Sequence, residues 1–203
     1  MELIDLKKEA GGVSKHINLQ ADAWIMTGWK SSEISFKNSR IIEEHEKILQ
    51  EIYNCQANPG KTVLPHYVET GNNILTTAGL TESAKRDTGE TSSTVTHVGI
   101  GTSTVAEAES QTGLQSEDSG GSYARRALAS AGQRKVTNQT AKYGMLWQDS
   151  HVSAVPLAIS EAGLFTAVTS GICHARIVFS TFTMSSGDLF VVQCNELHQN
   201  GSL

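Results

Sequence analysis

The sequence contains little proline and little cysteine. There are 3 of each among 203 residues. Cys55, Cys173 and Cys194 are far apart and odd in number, so we expect neither a disulfide framework nor a four-ligand zinc site. We interpret the three cysteines as small apolar side chains that fill the interior.

Charge of one sign and long hydrophobic runs are also scarce. Charged residues make up 18% of the chain, the formal net charge is −5, and no dense run of Lys or Arg occurs. We therefore expect neither nucleic acid nor an anionic membrane surface as the main partner. No apolar stretch near the N-terminus resembles a signal segment or reaches the roughly 20 residues that a membrane span needs. We expect a protein that is made in a cytoplasm and does not insert into a membrane.

The first part of the chain, residues 1–75, is irregular apart from one helix predicted at about 39–54. Ser39 is a plausible N-cap, and apolar residues recur at helical spacing on one face. The segment "NCQANPG" ends the pattern with helix-breaking residues. We expect this region to anchor or oligomerise the protein.

Two tryptophans precede this helix in the segment "ADAWIMTGW". Trp24 and Trp29 flank two further apolar residues, Ile25 and Met26. They fit a hydrophobic patch on which the helix packs. They also fit a docking surface for a larger partner, because Trp is enriched at the buried centres of interfaces.

The remainder, residues 76–203, has the texture of a β domain. From about residue 92, short segments rich in β-branched and aromatic residues alternate with Gly, Ser and Asp. In 174–184 one face would carry Val178 and Phe182 and the other Phe179, and the turn 185–188 would join that strand to the next as an antiparallel hairpin. No helical pattern separates the strands, which excludes parallel βαβ units. We predict a mainly β fold, an antiparallel jelly-roll-like β-sandwich with an N-terminal extension that contains one short α-helix.

The glycines of "VTHVGIGTST" are the best candidates for a nucleotide-binding turn. Gly99 and Gly101 follow a predicted strand, and Asp118 lies downstream. Thr104 occupies the third glycine position, however, and antiparallel strands follow where a parallel strand is needed. We therefore do not expect this segment to bind a nucleotide.

Other reactive residues lack a catalytic arrangement. Asp149, Ser150 and His151 are adjacent, so they cannot form a triad among themselves, and His151 is interpreted as a solvated loop residue. Glu117 and Asp118 are interpreted as a solvated turn. No metal-ligand spacing connects the seven histidines, which are His16, His45, His66, His97, His151, His174 and His198. We predict no catalytic residues, no cofactor and no metal site, and we do not expect an enzyme.

Five segments occur in an order that is similar to a known protein group. They are "NNILTTAGL", "VTHVGIGTSTV", "SEDSGGSYARRAL", "SEAGLFTA" and "HARIVFSTFTMSSGDLFVVQCNEL". Together, over residues 72–197, they resemble a recurrent β domain of tailed-virus (phage-like) structural proteins of the tail-fibre, collar or head-decoration type. The resemblance implies a virion protein, made in the host cytoplasm, that acts by self-assembly and by docking on other virion proteins. We expect a homo-oligomer, with a trimer favoured.

The resemblance also suggests a structural role for "SEAGLFTA". We expect Glu161 to accept hydrogen bonds from backbone N–H groups of its own turn or of a neighbouring strand. Arg176 and Arg125 are its candidate ionic partners, and an unpaired surface carboxylate is the alternative. Gly163 would permit a bend or a close backbone approach. The segment is thus predicted to form a corner between two strands.

A carbohydrate- or receptor-binding module is the alternative function. Sugar sites need exposed aromatic rings, and Trp147 with Tyr143 is the pair that could bind a host-surface glycan. Trp147 could equally be a core or edge residue. A glycan hydrolase would need two carboxylates that face each other across a cleft, and the sequence places no pair in that way.

Overall fold

The computed structural model describes residues 4–7, 14–17, 23–55, 64–72, 74–119, 125–137 and 139–197. For 4–7, 14–17, 23 and 53–55 it describes the backbone alone. Within these ranges the protein is mainly β, with two five-stranded antiparallel sheets that pack together in a sandwich-like arrangement. The predicted fold class is confirmed, whereas the strand order does not establish a jelly roll.

The described chain contains twelve strands and two α-helices. The strands are β1 (Ile4–Lys7), β2 (Ser14–Ile17), β3 (Ala23–Lys30), β4 (Tyr67–Gly71), β5 (Ile74–Leu75), β6 (His97–Gly101), β7 (Arg126–Ala127), β8 (Arg134–Thr137), β9 (Thr140–Gln148), β10 (Leu157–Phe165), β11 (Cys173–Met184) and β12 (Asp188–Leu197). The helices are α1 (Ile41–Cys55) and α2 (Thr77–Thr88), and short 3-10 turns lie at Asn38–Arg40 and Asp149–His151.

The two sheets share no strand. The first sheet has the order β5-β11-β10-β6-β7, and the second has the order β4-β3-β12-β9-β8. All pairs within them are antiparallel, and β1 and β2 form a separate two-stranded pair. Each sheet combines pairs of consecutive strands, such as β10 with β11 and β8 with β9, with strands that are distant in sequence, such as β3 and β12.

One apolar core fills the space between the sheets. The rings of Phe182 from the first sheet and Phe190 from the second stack with centroids 4.9 Å apart. Trp24 and Trp147 are fully buried in the same cluster. Burial of such rings is the largest apolar contribution that a small domain can obtain, at about 1.5–3 kcal/mol for each large side chain.

A second core lies on the other face of the second sheet, beneath α1. Ile41, Ile42 and Ile52 of the helix pack there against strand residues that include Trp29. The alternation in β12 supplies both cores: Phe190, Val192 and Cys194 face the inter-sheet core, whereas Leu189 and Val191 face α1. The predicted helix is confirmed, and both N-terminal tryptophans are interior residues, so the docking-surface interpretation of that pair is wrong.

The turn at 185–188 does not form the predicted hairpin. It connects β11 in the first sheet with β12 in the second, so the chain crosses from one layer to the other. β11 takes its hydrogen bonds from β10 and β5, and β12 takes its own from β3 and β9. The turn residues were recognised correctly, but the pairing was wrong because the two strands belong to different sheets and each pairs only within its own sheet.

The predicted faces of β11 also need correction. Ile177, Phe179, Phe182 and Met184 all belong to the inter-sheet core, although their numbering mixes odd and even positions. The register shifts between Ile159↔Phe182 and Glu161↔Val178, which places extra residues in β11. Such a bulge reverses the inside–outside alternation of the strand.

The sandwich draws strands from both sides of the predicted boundary at residues 75 and 76. β3 pairs with β12 from Asp188↔Lys30 to Asn195↔Ala23 and lies in the interior of the second sheet. β4 and β5 also belong to the two sheets. β3, β4 and β5 are therefore part of the sandwich, although they precede the predicted boundary.

The sequence did not predict α2, which follows β5 at the N-terminal end of β11. The Thr76 hydroxyl caps the helix by accepting from the Gly79 N–H at 3.0 Å, and Gly89 ends it with φ +74°. The helix lies so close to β11 that a Cβ at Gly79 would be 2.2 Å from the carbonyl oxygen of His174.

We predict that Gly79→Ala destabilises the protein by about 1–3 kcal/mol, because the clash with backbone outweighs a helix-propensity gain of about 1 kcal/mol. Urea denaturation measures the change. Gly113→Ala is the matched control, since a Cβ there meets nothing within 4 Å, and it should change stability by less than about 0.5 kcal/mol. Equal stability of the two variants would contradict the close docking of α2.

Candidate functional site

Residues 102–119, here called the strap, cross the outer face of the first sheet. The Thr102 N–H donates to the Ser116 carbonyl at 2.9 Å, and the Asp118 N–H donates to the Ile100 carbonyl at 2.9 Å. Glu117 forms a bridge with Gly101. The end of the strap thus extends the sheet beside β6.

Glu161 holds the strap from below. It is fully buried, and its Oε1 accepts from the Ser116 N–H at 2.7 Å while its Oε2 accepts from the Gln115 N–H at 3.1 Å. Oε2 also accepts from the Arg176 guanidinium at 2.8 Å. The expectation that Glu161 binds backbone N–H groups and Arg176 is confirmed.

Arg176 connects the same carboxylate to the far half of the strap. The side chain is 1% exposed, and Nη2 donates to the Val105 carbonyl at 2.8 Å. Nη1 donates to Gln111 Oε1 at 2.8 Å and to the Ala106 carbonyl at 3.3 Å. A buried ion pair stabilises a fold only when its remaining donors are also satisfied, and every nitrogen of this guanidinium has a partner.

Glycines make room for these contacts. A Cβ at Gly101 would lie 2.5 Å from both Glu161 Oε1 and the Ser116 carbonyl. A Cβ at Gly163 would lie 3.1 Å from the Leu114 side chain. The atoms nearest to that position belong to the side chains of Phe165 and Leu114, so the close backbone approach expected at Gly163 is not observed. The predicted corner is also wrong, because Glu161 to Phe165 pair with β6 and β11 along a continuous strand.

A second ion pair lies beside the first. Arg125 donates to Glu117 through Nε at 2.8 Å and Nη2 at 2.9 Å. Its guanidinium carbon lies 3.5 Å from the centre of the Phe165 ring, which is a cation–π contact. Arg125 therefore pairs with Glu117 and not with Glu161, and Glu117 is not the solvated residue that the sequence suggested.

A different polar cluster lies beneath α1 and connects three elements. Trp29 Nε1 donates to Thr27 Oγ1 at 2.7 Å, and Thr27 Oγ1 lies 2.9 Å from His45 Nε2. His45 Nδ1 lies 2.9 Å from Gln193 Oε1. Thr27 and His45 are fully buried, and burial lowers the pKa of His45 from 6.5 to about 4, against the opposing effects of the Gln193 hydrogen bond and the Glu46 charge.

This cluster reaches the surface at Glu46. Gln193 Nε2 donates to Glu46 Oε1 at 3.1 Å and to Asn195 Oδ1 at 3.1 Å. Lys142 Nζ lies 2.5 Å from Glu46 Oε1, and Lys135 Nζ lies 3.9 Å from Oε2. The acidic end of the cluster is therefore ion-paired at the edge of the second sheet.

His174 and Glu196 form a third buried polar contact. His174 Nε2 lies 3.0 Å from Glu196 Oε1 and 3.3 Å from Oε2. The two residues belong to β11 and β12, so the contact joins the first sheet to the second. It is one of several polar links between the layers, because Tyr67 and Glu69 of β4 also form hydrogen bonds with Ser180 of β11.

None of these clusters has the geometry of the catalytic classes considered from the sequence. Asp149, Ser150 and His151 form a 3-10 turn, and the His151 ring accepts from the Gln148 N–H at 3.3 Å. His151 is partly buried and not a solvated loop residue; desolvation and the charge of Arg126 lower its pKa to about 4. Gly99 and Gly101 lie within β6 and not in a phosphate-binding turn.

Metal and membrane chemistry were also considered. In the part of the chain that the structure describes, no three His, Cys, Asp or Glu side chains come together as metal ligands. The same residues include no helix of sufficient length and apolarity to cross a bilayer. Cys173 and Cys194 are buried, as expected, and neither forms a disulfide within the described residues; desolvation raises the pKa of Cys173 to about 12. The side chain of Cys55 lies outside the described residues.

The aromatic pair proposed for sugar binding is not at the surface. Trp147 is 1% exposed and belongs to the inter-sheet core. Tyr143 is half-buried, and desolvation raises its pKa. The core interpretation of Trp147 is confirmed.

Searches among protein families, curated proteins and solved structures find no match to this chain.

Sequence reasoning missed the cluster beneath α1, although one signal was present. His45 lies four residues after Ile41 and four before Leu49, so it occupies the apolar face of the helix. A polar residue at such a position requires a buried partner. The identity of that partner could not be inferred, because Thr27 and Gln193 are far away in sequence.

We predict that Arg176→Met lowers the free energy of unfolding by about 3–5 kcal/mol, because it leaves the Glu161 carboxylate buried without its cation. The double variant Arg176→Met/Glu161→Gln should recover part of this loss. Arg40→Met is the control, since the Arg40–Glu43 pair is exposed on both sides, and it should cost less than about 1 kcal/mol. Urea denaturation compares the free energies of unfolding of the three variants. We call the Glu161–Arg176 pair and its contacts with the strap the clamp, and a mild effect of Arg176→Met would contradict its stabilising role.

Proposed function

We propose that the protein is a structural component of a tailed-virus particle that acts by self-assembly and by docking on other particle proteins. Four of the five segments that carry the resemblance meet at the strap, and this observation supports the proposal. Their charged residues, Glu117, Arg125, Glu161 and Arg176, bind one another and the strap backbone. In a building unit, such residues serve shape and stiffness, whereas in an enzyme they would face a substrate.

The architecture suits a unit that repeats in an assembly. Two sheets and a helical layer enclose two apolar cores, so the subunit has a rigid interior. Short edge strands such as β8 offer backbone groups and an exposed apolar side chain, Val136, at 76% exposure. Sheet edges are common sites at which copies or partners add strands. We propose a homotrimer located in the virion.

The alternative of a carbohydrate- or receptor-binding module is less well supported. The aromatic pair on which it was based is not available for stacking, because Trp147 is buried. A glycan site would have to use residues other than this pair. Binding of the full chain on a glycan array would favour the alternative function.

The oligomeric prediction is tested by size-exclusion chromatography with multi-angle light scattering at micromolar concentration. We expect a mass of three chains, each of 21.8 kDa. A monomer across the tested concentration range would contradict self-assembly.

The location is tested separately by mass spectrometry of purified particles, followed by antibody labelling and imaging. We expect the chain at a fixed stoichiometry and at a symmetric position on the particle. Its absence from intact particles would contradict a virion role even if the isolated protein is a trimer.

A further inference from the structure

The polar cluster beneath α1 has a single possible direction of hydrogen bonding. The Trp29 indole can only donate, so the Thr27 hydroxyl accepts from it at 2.7 Å. At the other end the Glu46 carboxylate accepts, so the amide nitrogen of Gln193 faces it at 3.1 Å. These two ends determine the orientation of the groups between them.

The tautomer of His45 follows from these two ends. Because the Gln193 amide nitrogen faces Glu46, the amide oxygen of Gln193 faces His45. An amide oxygen can only accept, so His45 carries its proton on Nδ1. Nε2 then has a lone pair and accepts from the Thr27 hydroxyl. The neutral imidazole satisfies every member of the cluster. If His45 were also protonated on Nε2, that N–H would point at the hydrogen of the Thr27 hydroxyl, and two donors would face each other. The protonated ring would also place a positive charge in a fully buried site.

We propose that the cluster is a proton-sensitive latch, in which neutral His45 holds α1 on the second sheet and protonation of His45 weakens that attachment. The proposal does not rest on the proposed virion function. It rests on the position of His45 between the helix and two strands, β3 and β12. Release would expose the apolar face of α1 and the part of the sheet that it covers, including Trp29.

The charged and titratable groups around His45 come from each element that packs there with described side chains. Glu46 of α1 is the near carboxylate, and it is paired with Lys142 of β9 and with Lys135 of β8. β3 contributes the neutral residues Thr27 and Trp29, and β12 contributes Gln193 and Asn195. Because lysines already neutralise Glu46, its charge is a weak counter-ion for a histidinium.

The direction of the pH effect follows from linkage. The ordinary pKa of histidine, 6.5, applies when the helix is released, and the attached state has a value of about 4. The attachment is therefore complete above pH 6.5 and weakens as the pH falls toward 4. Each pH unit in this window reduces the attached-to-released ratio by about tenfold, and the whole window corresponds to about 300-fold.

Hydrogen–deuterium exchange with mass spectrometry tests the latch on the full chain. Protection factors of peptides from α1 and from β10 are measured between pH 7.5 and 4.5, after division by intrinsic exchange rates. In the wild type, protection of α1 should fall about tenfold for each pH unit below 6.5, whereas β10 should change much less. In His45→Gln, protection of α1 should lack this pH dependence.

His151→Gln is the matched control, because it removes another histidine of lowered pKa that lies away from α1. It should retain the wild-type pH dependence of α1. Constant protection of α1 in the wild type, or an equal fall in His45→Gln, would overturn the proposal.

A measurement on the wild type decides the matter even if His45→Gln fails to fold. Nitrogen NMR of the His45 ring should show the Nδ1–H tautomer at pH 7 and a titration midpoint well below 6.5. A midpoint near 6.5 with α1 still protected would also overturn the proposal.

Discussion

The buried pair of Glu161 and Arg176 is the contact on which the outer face of the first sheet depends. Removing a carboxylate and a guanidinium from water costs free energy. Their mutual attraction offsets that cost only when their remaining hydrogen-bond donors and acceptors also have partners. Here the remaining acceptor capacity of Glu161 is taken by the N–H groups of Ser116 and Gln115, and the remaining donors of Arg176 bind the strap near Val105. The pair therefore fixes the path of an otherwise irregular segment.

The attachments between layers of the protein combine apolar burial with buried or partly buried polar contacts. Apolar burial supplies most of the stability, but it does not specify the relative orientation of the packed elements well. A buried hydrogen-bond network tolerates few alternative arrangements. The ion pairs attach the strap, the His45 cluster attaches α1, and the contact of His174 with Glu196 joins the two sheets. These ionisable residues thus serve attachment, in keeping with the structural role proposed above.

Local patterns predicted those features that depend on neighbours in sequence. The helix at about 39–54, the strand character of the C-terminal part and the interior position of Cys173 and Cys194 followed from periodicity and composition. The partnership of Glu161 with Arg176 was also among the expected alternatives, because both residues lay in segments of the same resemblance.

Features that depend on distant pairing could not be predicted in this way. The turn at 185–188 was predicted to form a hairpin. The residue types of a turn do not reveal which sheet the next strand joins. The bulge in β11 places Phe179 and Phe182 on the same face of the strand, and only the register with β10 shows this bulge. The segment 23–30 was not recognised as a strand, because its partner β12 begins more than 150 residues later, at Asp188.

The most direct test of this account is the amide exchange rate of Ser116 measured by NMR at neutral pH. The Ser116 side chain is exposed, but its N–H donates to the buried Glu161 carboxylate. The account predicts that this amide exchanges far more slowly than an unprotected loop amide, because it is exposed only when the strap leaves the Glu161 carboxylate. Exchange at the rate of an unprotected loop would contradict the attachment of the strap by Glu161 and would remove the main support for the proposed structural role.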